Sequence, residues 1–247
     1  MAQNVRTSAY DDFAEQYAAL VASREQAGPE ADPFGILPSL LAVLGDVTNQ
    51  VLLDAGCGEG YLARILAARG ARVTGIDLAP RLIEQAQAKD PDGQITYRLA
   101  DLSSPLPAFA ATFDAIASYL VLNDVEDHRG FARTLASVLK PAGRAVLALN
   151  NPYAYVIRKH LGAAYFAAGS LHPCGLARSG IDVSFYHRTL GEYVDAFLAT
   201  GLQLTKILDV DHPTGARYRA EGQTMPTEEE IPRFMILAFV KPIRPDS

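Results

Sequence analysis

The chain has few cysteines, no strongly basic stretch and no long apolar run. Its 247 residues include two cysteines, Cys57 and Cys174, which are too few for a disulfide scaffold and are typical of a reducing compartment. Acidic residues outnumber basic ones by 28 to 22, and no Lys/Arg run of the kind that binds nucleic acid is present. No C-x-x-C pair or His/Cys cluster indicates a metal site.

Two further absences concern the membrane. No apolar run approaches the ~20 residues needed to span a bilayer, and the polar N-terminus lacks the apolar segment of a signal peptide. We therefore expect a cytoplasmic protein with no metal, no nucleic-acid partner and no membrane partner. Length and composition are compatible with a monomer or a homodimer.

The stretch from Val51 to Gly60, V-L-L-D-A-G-C-G-E-G, predicts a strand and a glycine-rich turn that leads into a helix. Its first three residues suit a strand buried on both faces, which Asp54 is expected to end. Gly56, Gly58 and the last glycine of the stretch then alternate, and helical spacing of apolar residues begins just after them. Glycines accept positive φ and let a ligand approach bare backbone, while the first amides of the helix face that ligand. The pattern predicts a nucleotide-type site.

A second acidic residue supports an adenosine ligand. Residues 72–76 predict the next strand, and Asp77 follows directly. Ligands of open α/β sheets bind at the carboxyl ends of such strands, where a carboxylate can accept both ribose hydroxyls. The dinucleotide fingerprint G-x-G-x-x-G would need glycine at position 61, where this chain has Tyr61.

Residues 54–60, in the order acidic-x-Gly-x-Gly-x-Gly, resemble motif I of class I S-adenosylmethionine (SAM) dependent methyltransferases. Later segments are similar to further motifs of that superfamily: G-I-D-L-A-P (75–80), L-A-D-L (99–102), F-D-A-I-A-S-Y-L-V-L-N-D-V-E-D (113–127) and L-K-P-A-G-R-A-V-L-A (139–148). The resemblance covers roughly residues 10–241. It implies SAM as cofactor, S-adenosylhomocysteine as product, and a Rossmann-like, doubly wound α/β sheet of seven mostly parallel strands. The last strand is expected to be antiparallel and to lie between the fifth and sixth.

The resemblance also implies which residues hold the cofactor. Asp77 matches the ribose-binding motif, and Asp101 matches the position that meets the adenine amino group, although an Asp just after a strand is often only a cap or turn residue. A helix over residues 8–22 is expected to form a lid, with Tyr17 nearest the methionine end of SAM; the alternative is a helix that only packs on the body. The predicted cofactor-binding residues are Tyr17, Asp54, Gly56, Gly58, Gly60, Asp77, Leu78, Asp101, Leu102 and Tyr119.

We expect a single domain with four parts: lid helices over 8–45, a cofactor-binding core over 48–150, a cap over 151–188 and the remainder of the core over 189–243. The cap segment is rich in aromatic residues and histidine and is longer than an ordinary connection between strands, so we expect an α-helical substrate cap over the carboxyl edge. A purely structural or dimer-forming cap is the alternative. The predicted substrate-binding residues are Tyr10, Asn123, Tyr153, Tyr165, Phe166 and Tyr186.

A hydroxyl or acidic carbon acceptor needs a base, and histidine is the side chain that titrates near neutral pH. His172, in the middle of the cap, is our first candidate, followed by His187; His160 is expected to be exposed. The string F-Y-H-R-T-L-G-E-Y around His187 also suits a structural role at a helix start. The family pattern supplies no fixed catalytic residue.

These patterns predict methyl transfer from SAM to the O, N or C atom of a small organic acceptor, in secondary metabolism or on a quinone-like intermediate. A SAM-binding homologue that does not methylate, with SAM as a structural ligand or helper in a rearrangement, is one alternative. A remote alternative is an NAD(P)-dependent short-chain reductase, because Tyr155-x-x-x-Lys159 has the spacing of that class's catalytic pair. The position of the glycines, at 56–60 rather than near the start of the chain, and the lack of a serine in the predicted fifth strand before Tyr155 weigh against it.

Overall fold

The structure of the protein, a computed structural model, describes residues 9–27, 36–154, 165–166, 171–173, 181, 183–210 and 232–243. Its strands are β1 (Val51–Ala55), β2 (Arg72–Asp77), β3 (Thr96–Leu99), β4 (Phe113–Tyr119), β5 (Leu139–Asn150), β6 (Leu171–Pro173), β7 (Ser184–Tyr186), β8 (Gln203–Val210) and β9 (Phe234–Val240). Seven of them form one sheet in the order β3-β2-β1-β4-β5-β9-β8.

The pairing of these strands confirms the predicted topology. Strands β1 to β5 pair in parallel, whereas β9 runs antiparallel to both of its neighbours, β5 and β8. The last strand of the chain therefore lies between the fifth and sixth strands of the sheet. This is the Rossmann-like, doubly wound arrangement that the sequence predicts.

Helices cover both faces of the sheet. They are a 3-10 helix (Ala9–Phe13), α1 (Ala14–Ala27), α2 (Ile36–Leu44), α3 (Tyr61–Ala68), α4 (Pro80–Ala88), a second 3-10 helix (Pro107–Phe109), α5 (His128–Val138) and α6 (Leu190–Leu198). On one face α2 and α3 bury Leu40 and Leu66 in a cluster with Leu52 of β1. On the other face α5 and α6 bury Phe131 and Phe197. Because the central strands are covered on both sides, their sequences are continuously apolar rather than alternating.

The carboxyl ends of four neighbouring parallel strands lie along one edge of this sheet, which we call the carboxyl edge. Ala55 pairs with Ile76, and Asp77 pairs with Leu99, so β1, β2 and β3 end almost level. Ala117 of β4 pairs with Asp54. The turns that follow these strands are therefore neighbours in space although they are far apart in sequence.

Strand β5 begins earlier than the sequence predicts. The Pro141-Ala142-Gly143 string is typical of a turn before a strand, but the ladder already starts at Leu139, with a shift in register between Phe113 and Ala115 of β4. The Ala142 N–H donates to the carbonyl of Lys241 over 2.8 Å, and the Lys241 N–H donates to Gly143 over 2.9 Å. The distant end of β9 thus recruits these residues into the sheet.

The described part of residues 151–188 is not purely helical. Its short strands β6 and β7 form a separate antiparallel pair, in which His172 is opposite Phe185. The predicted cap thus contains strand structure as well as helix. Across the ranges that the structure describes, no helix combines the length and the apolar character required to cross a membrane.

Candidate functional site

The glycine-rich turn occupies the middle of the carboxyl edge, between β1 and α3. Gly56, Gly58 and Gly60 have φ values of +81°, +53° and +85°. These are left-handed backbone conformations, which residues that carry a Cβ adopt only at a cost in free energy. The prediction that this turn requires glycine is therefore confirmed by its backbone geometry.

Gly56 is required by a close contact within the protein. A Cβ added there would lie 2.3 Å from Cγ2 of Val121, well inside van der Waals contact. Val121 belongs to the segment that leaves β4, so the absence of a side chain at Gly56 lets that segment pack directly on the turn. The glycine thus joins two parts of the carboxyl edge.

Asp77 holds the turn in place at the end of β2. Its Oδ2 accepts a 2.8 Å hydrogen bond from the Gly58 N–H, and its Oδ1 accepts a 2.9 Å bond from the Ala79 N–H. Burial raises the pKa of this carboxyl, while the backbone amides oppose that shift. An ionised carboxylate has about four lone-pair sites, so these two bonds leave capacity for two ribose hydroxyls.

Asp54 lies on β1, next to β2, and its carboxyl group has fewer polar neighbours than that of Asp77. Its side chain is 1% exposed, and neither oxygen has a partner of hydrogen-bond geometry among the described residues. Burial, reinforced by the nearby Asp77 carboxylate, raises the pKa of Asp54 to about 8. A buried carboxyl group without a partner is costly, so this position is suited to a ligand that donates hydrogen bonds or brings positive charge.

The glycine-rich turn is also held by an ion-pair network around Glu59, a residue that the sequence did not single out. Glu59 is 1% exposed and forms ion pairs with Arg64, at 3.1 Å, and with Lys89. Arg64 also donates to the Glu59 carbonyl over 2.8 Å. The Glu59 carboxylate is therefore engaged by two cations from α3 and the end of α4, and it anchors the turn to both.

Asp101 follows β3 by two residues, and its Oδ1 accepts a 2.8 Å hydrogen bond from the Ser103 N–H. This bond closes a local turn that orients the carboxylate at the end of the strand. Leu102 is buried in the core on the α5 side of the sheet, and Leu78, between β2 and α4, is half-buried. The adenine and ribose assignments of these residues remain predictions.

The first helices lie over the glycine turn, as the lid prediction requires. Cε1 of Tyr17 is 3.6 Å from where a Cβ on Gly58 would be. Tyr10 packs edge-on against Tyr17, with ring centroids 5.4 Å apart. The Asp11 carboxylate accepts a 2.8 Å hydrogen bond from the Arg81 N–H in the first turn of α4. These contacts dock the lid on α4 and bring aromatic rings to the cofactor side of the edge.

The segment after β4 crosses the carboxyl edge with a sharp change of direction. Tyr119 ends the strand, and Leu120 has φ of +60°, which is rare for a branched residue. Asn123 is 3% exposed; its side chain donates to the Tyr193 hydroxyl over 3.0 Å and accepts from the Asn150 N–H over 2.8 Å. Its hydrogen-bonding groups hold the segment in place, so contact with substrate through this side chain stays a prediction.

Asp124 follows Asn123, which is a predicted substrate-binding residue, whereas Asp124 itself is not among the predicted site residues. It is half-buried, and the Tyr10 hydroxyl donates a hydrogen bond to its carboxylate. Burial, with a smaller contribution from Asp77, raises the pKa of Asp124 to about 7. No local pattern distinguishes this Asp from the others nearby, because its burial depends on the lid.

The predicted cap reaches the same segment through β7. The Tyr186 N–H donates to the Asn123 carbonyl over 2.7 Å, and Arg188 donates to the Glu126 carbonyl over 2.6 Å. His187 is 2% exposed, and its Nε2 lies 2.9 Å from the Tyr165 carbonyl. This buried contact favours the structural role that the sequence left open for His187.

The other cap residues are only partly described. Tyr153 and Tyr165 stack with ring centroids 5.2 Å apart, and Phe166 is 82% exposed. A cavity of about 390 Å³ is lined by Tyr165, Phe166, Thr189, Gly191 and Glu192, and none of the carboxyl-edge residues lines it. The side chain of His172 and the whole of His160 lie outside the described residues, so both stay predictions.

Comparison with known proteins identifies the family. The family model described as "Methyltransferase domain" matches residues 53–147. A ubiquinone biosynthesis O-methyltransferase from Xylella fastidiosa is 33% identical over 171 residues, which cover 67% of this chain and 68% of that protein. The chain belongs to the class I SAM-dependent methyltransferase superfamily. A demethylmenaquinone methyltransferase from Tropheryma whipplei is 40% identical over 106 residues, which cover 42% of this chain and 44% of that protein.

A solved structure gives the same result. The SAM-dependent methyltransferase from Mesorhizobium loti superposes on this methyltransferase with a TM-score of 0.64 at 27% identity, covering 83% of this chain and 97% of that one. The matches to curated relatives span 40% to 68% of those proteins' lengths. Family membership decides against the nicotinamide-dependent reductase; Tyr155 and Lys159 themselves lie outside the described residues.

The residues of this methyltransferase fit SAM, its cofactor. The unpartnered carboxyl of Asp54 suits a cationic or hydrogen-bond-donating group, and SAM carries an ammonium and a sulfonium. Asp77 lies on the next strand, two residues nearer the carboxyl edge than Gly75, which pairs with Asp54; the superfamily motif places the ribose at Asp77. Asp101 lies beyond β3, on the side expected for adenine. The order of strands β3, β2 and β1 along the edge agrees with the expected order of adenine, ribose and methionine, and contact of these residues with the cofactor stays a prediction.

Proposed function

We propose that this methyltransferase transfers the methyl group of SAM to a hydroxyl oxygen of a small aromatic, quinone-type acceptor. The proposal draws on the curated relatives, one of which acts in ubiquinone biosynthesis as an O-methyltransferase and another on demethylmenaquinone by name. These relatives favour quinone biosynthesis over the secondary metabolism that the sequence also suggested. The observation in the structure that carries the proposal is the Tyr10–Tyr17 aromatic pair over the glycine turn.

Binding and orientation are the main tasks of the chain's residues. SAM supplies a methyl group that is already reactive because it is bonded to positively charged sulfur. The protein must therefore hold the acceptor atom in line with that methyl group, and orientation of this kind is worth up to about 7–11 kcal/mol in the best intramolecular cases. We assign cofactor binding to Asp54, Asp77 and Asp101, and the exclusion of water to the lid and cap.

The acceptor space has aromatic surfaces on its lid side. Tyr10 and Tyr17 contribute half-buried rings, and their docking through Asp11 and Arg81 fixes the lid against α4. A planar aromatic acceptor packs well against the rings of these two tyrosines. A nucleic acid acceptor would instead need an open basic groove. The lid thus supports a small aromatic acceptor.

The test uses full-length protein with SAM carrying a deuterated methyl group and three acceptors: a catechol-type quinol, a naphthoquinol without its ring methyl group, and a non-aromatic carboxylic acid. Mass spectrometry should show label on the hydroxyl of the catechol-type compound. Label on the ring carbon of the naphthoquinol would change the acceptor atom but keep the acceptor class. Label on the acid alone would contradict the proposal.

Binding of S-adenosylhomocysteine is measured in parallel by calorimetry. If it binds and no acceptor of any class is labelled, the protein is better explained as a SAM-binding homologue that does not methylate. The matched control for methylation is Asp77→Asn, which should bind S-adenosylhomocysteine about ten- to a hundredfold more weakly and give correspondingly less label, because it removes the carboxylate that we assign to the ribose.

A further inference from the structure

We propose that Asp124 is the catalytic base that takes the proton from the acceptor hydroxyl, held in position by Tyr10 of the lid. This inference rests on the proposed function, because the hydroxyl acceptor proposed there has a proton that must be removed. It concerns a residue for which neither the motifs nor the histidine candidates of the cap provide a role.

Hydrogen bonds and packing fix the place of Asp124 in the fold. Its N–H donates to the Val121 carbonyl over 2.8 Å, and Val121 packs on Gly56 of the glycine turn. The preceding residue, Asn123, is bonded to β5, α6 and β7. Asp124 therefore lies where the glycine turn, the cap and the lid meet, on a segment that is held on three sides.

Titratable groups from three other elements act on the Asp124 carboxylate. Tyr10 donates a hydrogen bond to it from the lid, Asp77 faces it from the end of β2, and Tyr193 interacts with it from α6. These are the titratable groups that act on it among the described residues. A carboxylate has about four lone-pair sites, so the bond from Tyr10 leaves room for an acceptor hydroxyl.

The chemistry of the group fits the task. Burial first, and then the negative charge of Asp77, raise the pKa of Asp124 to about 7, while the bond from Tyr10 opposes the shift. A base with a pKa near the working pH combines a large ionised fraction with useful proton affinity. An ordinary aspartate, with a pKa near 3.9, is a much weaker base.

In the proposed step, a proton leaves the acceptor hydroxyl as the methyl group arrives. The acceptor O–H bond breaks, and its proton moves to a carboxylate oxygen of Asp124. The acceptor oxygen uses its freed electron pair to form a bond to the methyl carbon, as the carbon–sulfur bond breaks and its electron pair stays on sulfur as a neutral thioether. Asp124 then loses the proton to solvent when product leaves.

The first experiment needs no turnover. Aspartate carboxyl carbons are labelled with ¹³C and titrated by NMR in the protein alone, and the resonance that disappears in Asp124→Asn identifies the residue. It should titrate near pH 7, as the raised pKa implies. Tyr10→Phe should move it higher, because the lost hydrogen bond had lowered it. Titration near pH 4, as for an ordinary carboxylate, would overturn the proposal.

The second experiment separates a base from a structural residue. With a catechol of ordinary acidity, Asp124→Asn should lower kcat by about 10²–10⁴-fold and remove the rise of rate with pH. With a nitrocatechol, which is already ionised at the assay pH, the loss should be less than about tenfold, because no proton remains to be removed. Equal losses with both acceptors would show a structural role and overturn the proposal.

Two controls complete the design. Glu126→Gln removes an exposed carboxylate two residues away and should leave both rates within about twofold. Calorimetry should show that Asp124→Asn binds S-adenosylhomocysteine within about threefold of the unmodified protein. If the unmodified protein methylates no acceptor, the proposed function fails and the role of Asp124 as base fails with it. If the catechol is methylated and only the Asp124 tests fail, the proposed function stands without this base.

Discussion

The glycine-turn side of the carboxyl edge and its acceptor side are built in different ways. On the first, Asp77 binds amides 19 and 2 residues away, and these contacts follow the order of the motifs. On the second, the contact between Asn123 and Tyr193 spans 70 residues and that between Arg188 and Glu126 spans 62. The glycine-turn side is therefore specified largely by local sequence, whereas the acceptor side depends on the assembled fold.

The two sides share a concentration of carboxyl groups that are costly to ionise. Burial raises the pKa of Asp54, Asp77 and Asp124 alike. The negative charge of Asp77 raises the pKa of Asp54 and of Asp124 further. A positively charged ligand relieves this repulsion. The edge is therefore less stable without its cofactor than a neutral edge of the same shape would be.

Gly56→Ala should have the largest effect, because it disrupts both sides at once. The new Cβ would lie 2.3 Å from Val121 at a backbone φ of +81°. Overpacking and left-handed strain together should cost about 3 kcal/mol in the free energy of unfolding and abolish binding of S-adenosylhomocysteine. Urea unfolding and calorimetry measure these effects.

Gly45→Ala is the matched control, since it has a similar φ of +75° with no described atom within 4 Å of the added Cβ. It should lose only about 1–2 kcal/mol from strain and keep full binding. Equal losses for the two variants would show that the Val121 contact is unimportant.

Asp77→Asn tests the glycine-turn side alone. The amide oxygen can accept only one of the two backbone hydrogen bonds, and the amide NH₂ group would face the other N–H. A hydrogen bond to a charged group is worth about 1.5–3 kcal/mol, so affinity for S-adenosylhomocysteine should fall about ten- to a hundredfold in calorimetry.

Asp90→Asn provides the comparison for this variant. Asp90 also accepts from two backbone amides, those of Gln94 and Ile95, but lies in the turn before β3. It should lower stability and leave affinity within about twofold. A similar loss of affinity in both variants would mean that the position of Asp77 at the carboxyl edge has no special role.

Asp54→Asn tests the cost of the negative charge. Because burial raises the pKa of Asp54 to about 8, the folded protein holds this proton after the unfolded chain has lost it. The free energy of unfolding should therefore fall as pH rises from about 4 to about 8, and the variant should have a shallower fall. At pH 8 we expect the ligand-free variant to be more stable by about 1–3 kcal/mol while binding SAM more weakly.

The measurement is urea unfolding at several pH values, with Asp92→Asn as control because Asp92 is an exposed turn residue. The control should keep the slope of the unmodified protein. An unchanged slope in Asp54→Asn would contradict the assignment of a buried, protonated carboxyl at this position.

Asp11→Ala should have the smallest effect and tests the docking of the lid. It removes the acceptor for the Arg81 N–H at the start of α4, and lost caps of this kind cost about 1 kcal/mol. Hydrogen exchange of residues 9–22 should become faster, with little change in the core. Asp12→Ala, at the exposed neighbouring position, should leave exchange unchanged. Faster exchange in both variants would contradict a specific role for Asp11.

Much of the fold could be predicted from sequence because its signals are local. The apolar runs of β1 and β9, Thr189 as the cap of α6, and the acidic and glycine positions of the first turn all act over a few residues. Each motif also identified the end of the correct strand, since parallel strands bring their carboxyl ends to one edge. The start of β5 was misjudged because its partner Lys241 is almost a hundred residues away in the chain.

The candidate site was predicted less completely. Glu59 looked like a variable position of the motif, and only the folded chain brings Lys89 and Arg64 to it. Asn123 was expected to face substrate, yet its side chain bonds to Asn150 and Tyr193. Asp124 was overlooked because an aspartate in a polar string acquires a raised pKa only when other elements bury it.

The sequence by itself determined the strand–turn–helix unit, the order of the strands' motifs and the use of SAM, because spacing over a few residues decides backbone conformation and which groups meet a ligand. The tertiary structure decided which carboxylates are buried, which are neutralised by cations and which face the lid. The physical reason is that desolvation and charge–charge interactions depend on distance in space, and at this edge the lid, β2, the segment after β4 and α6 meet only after folding.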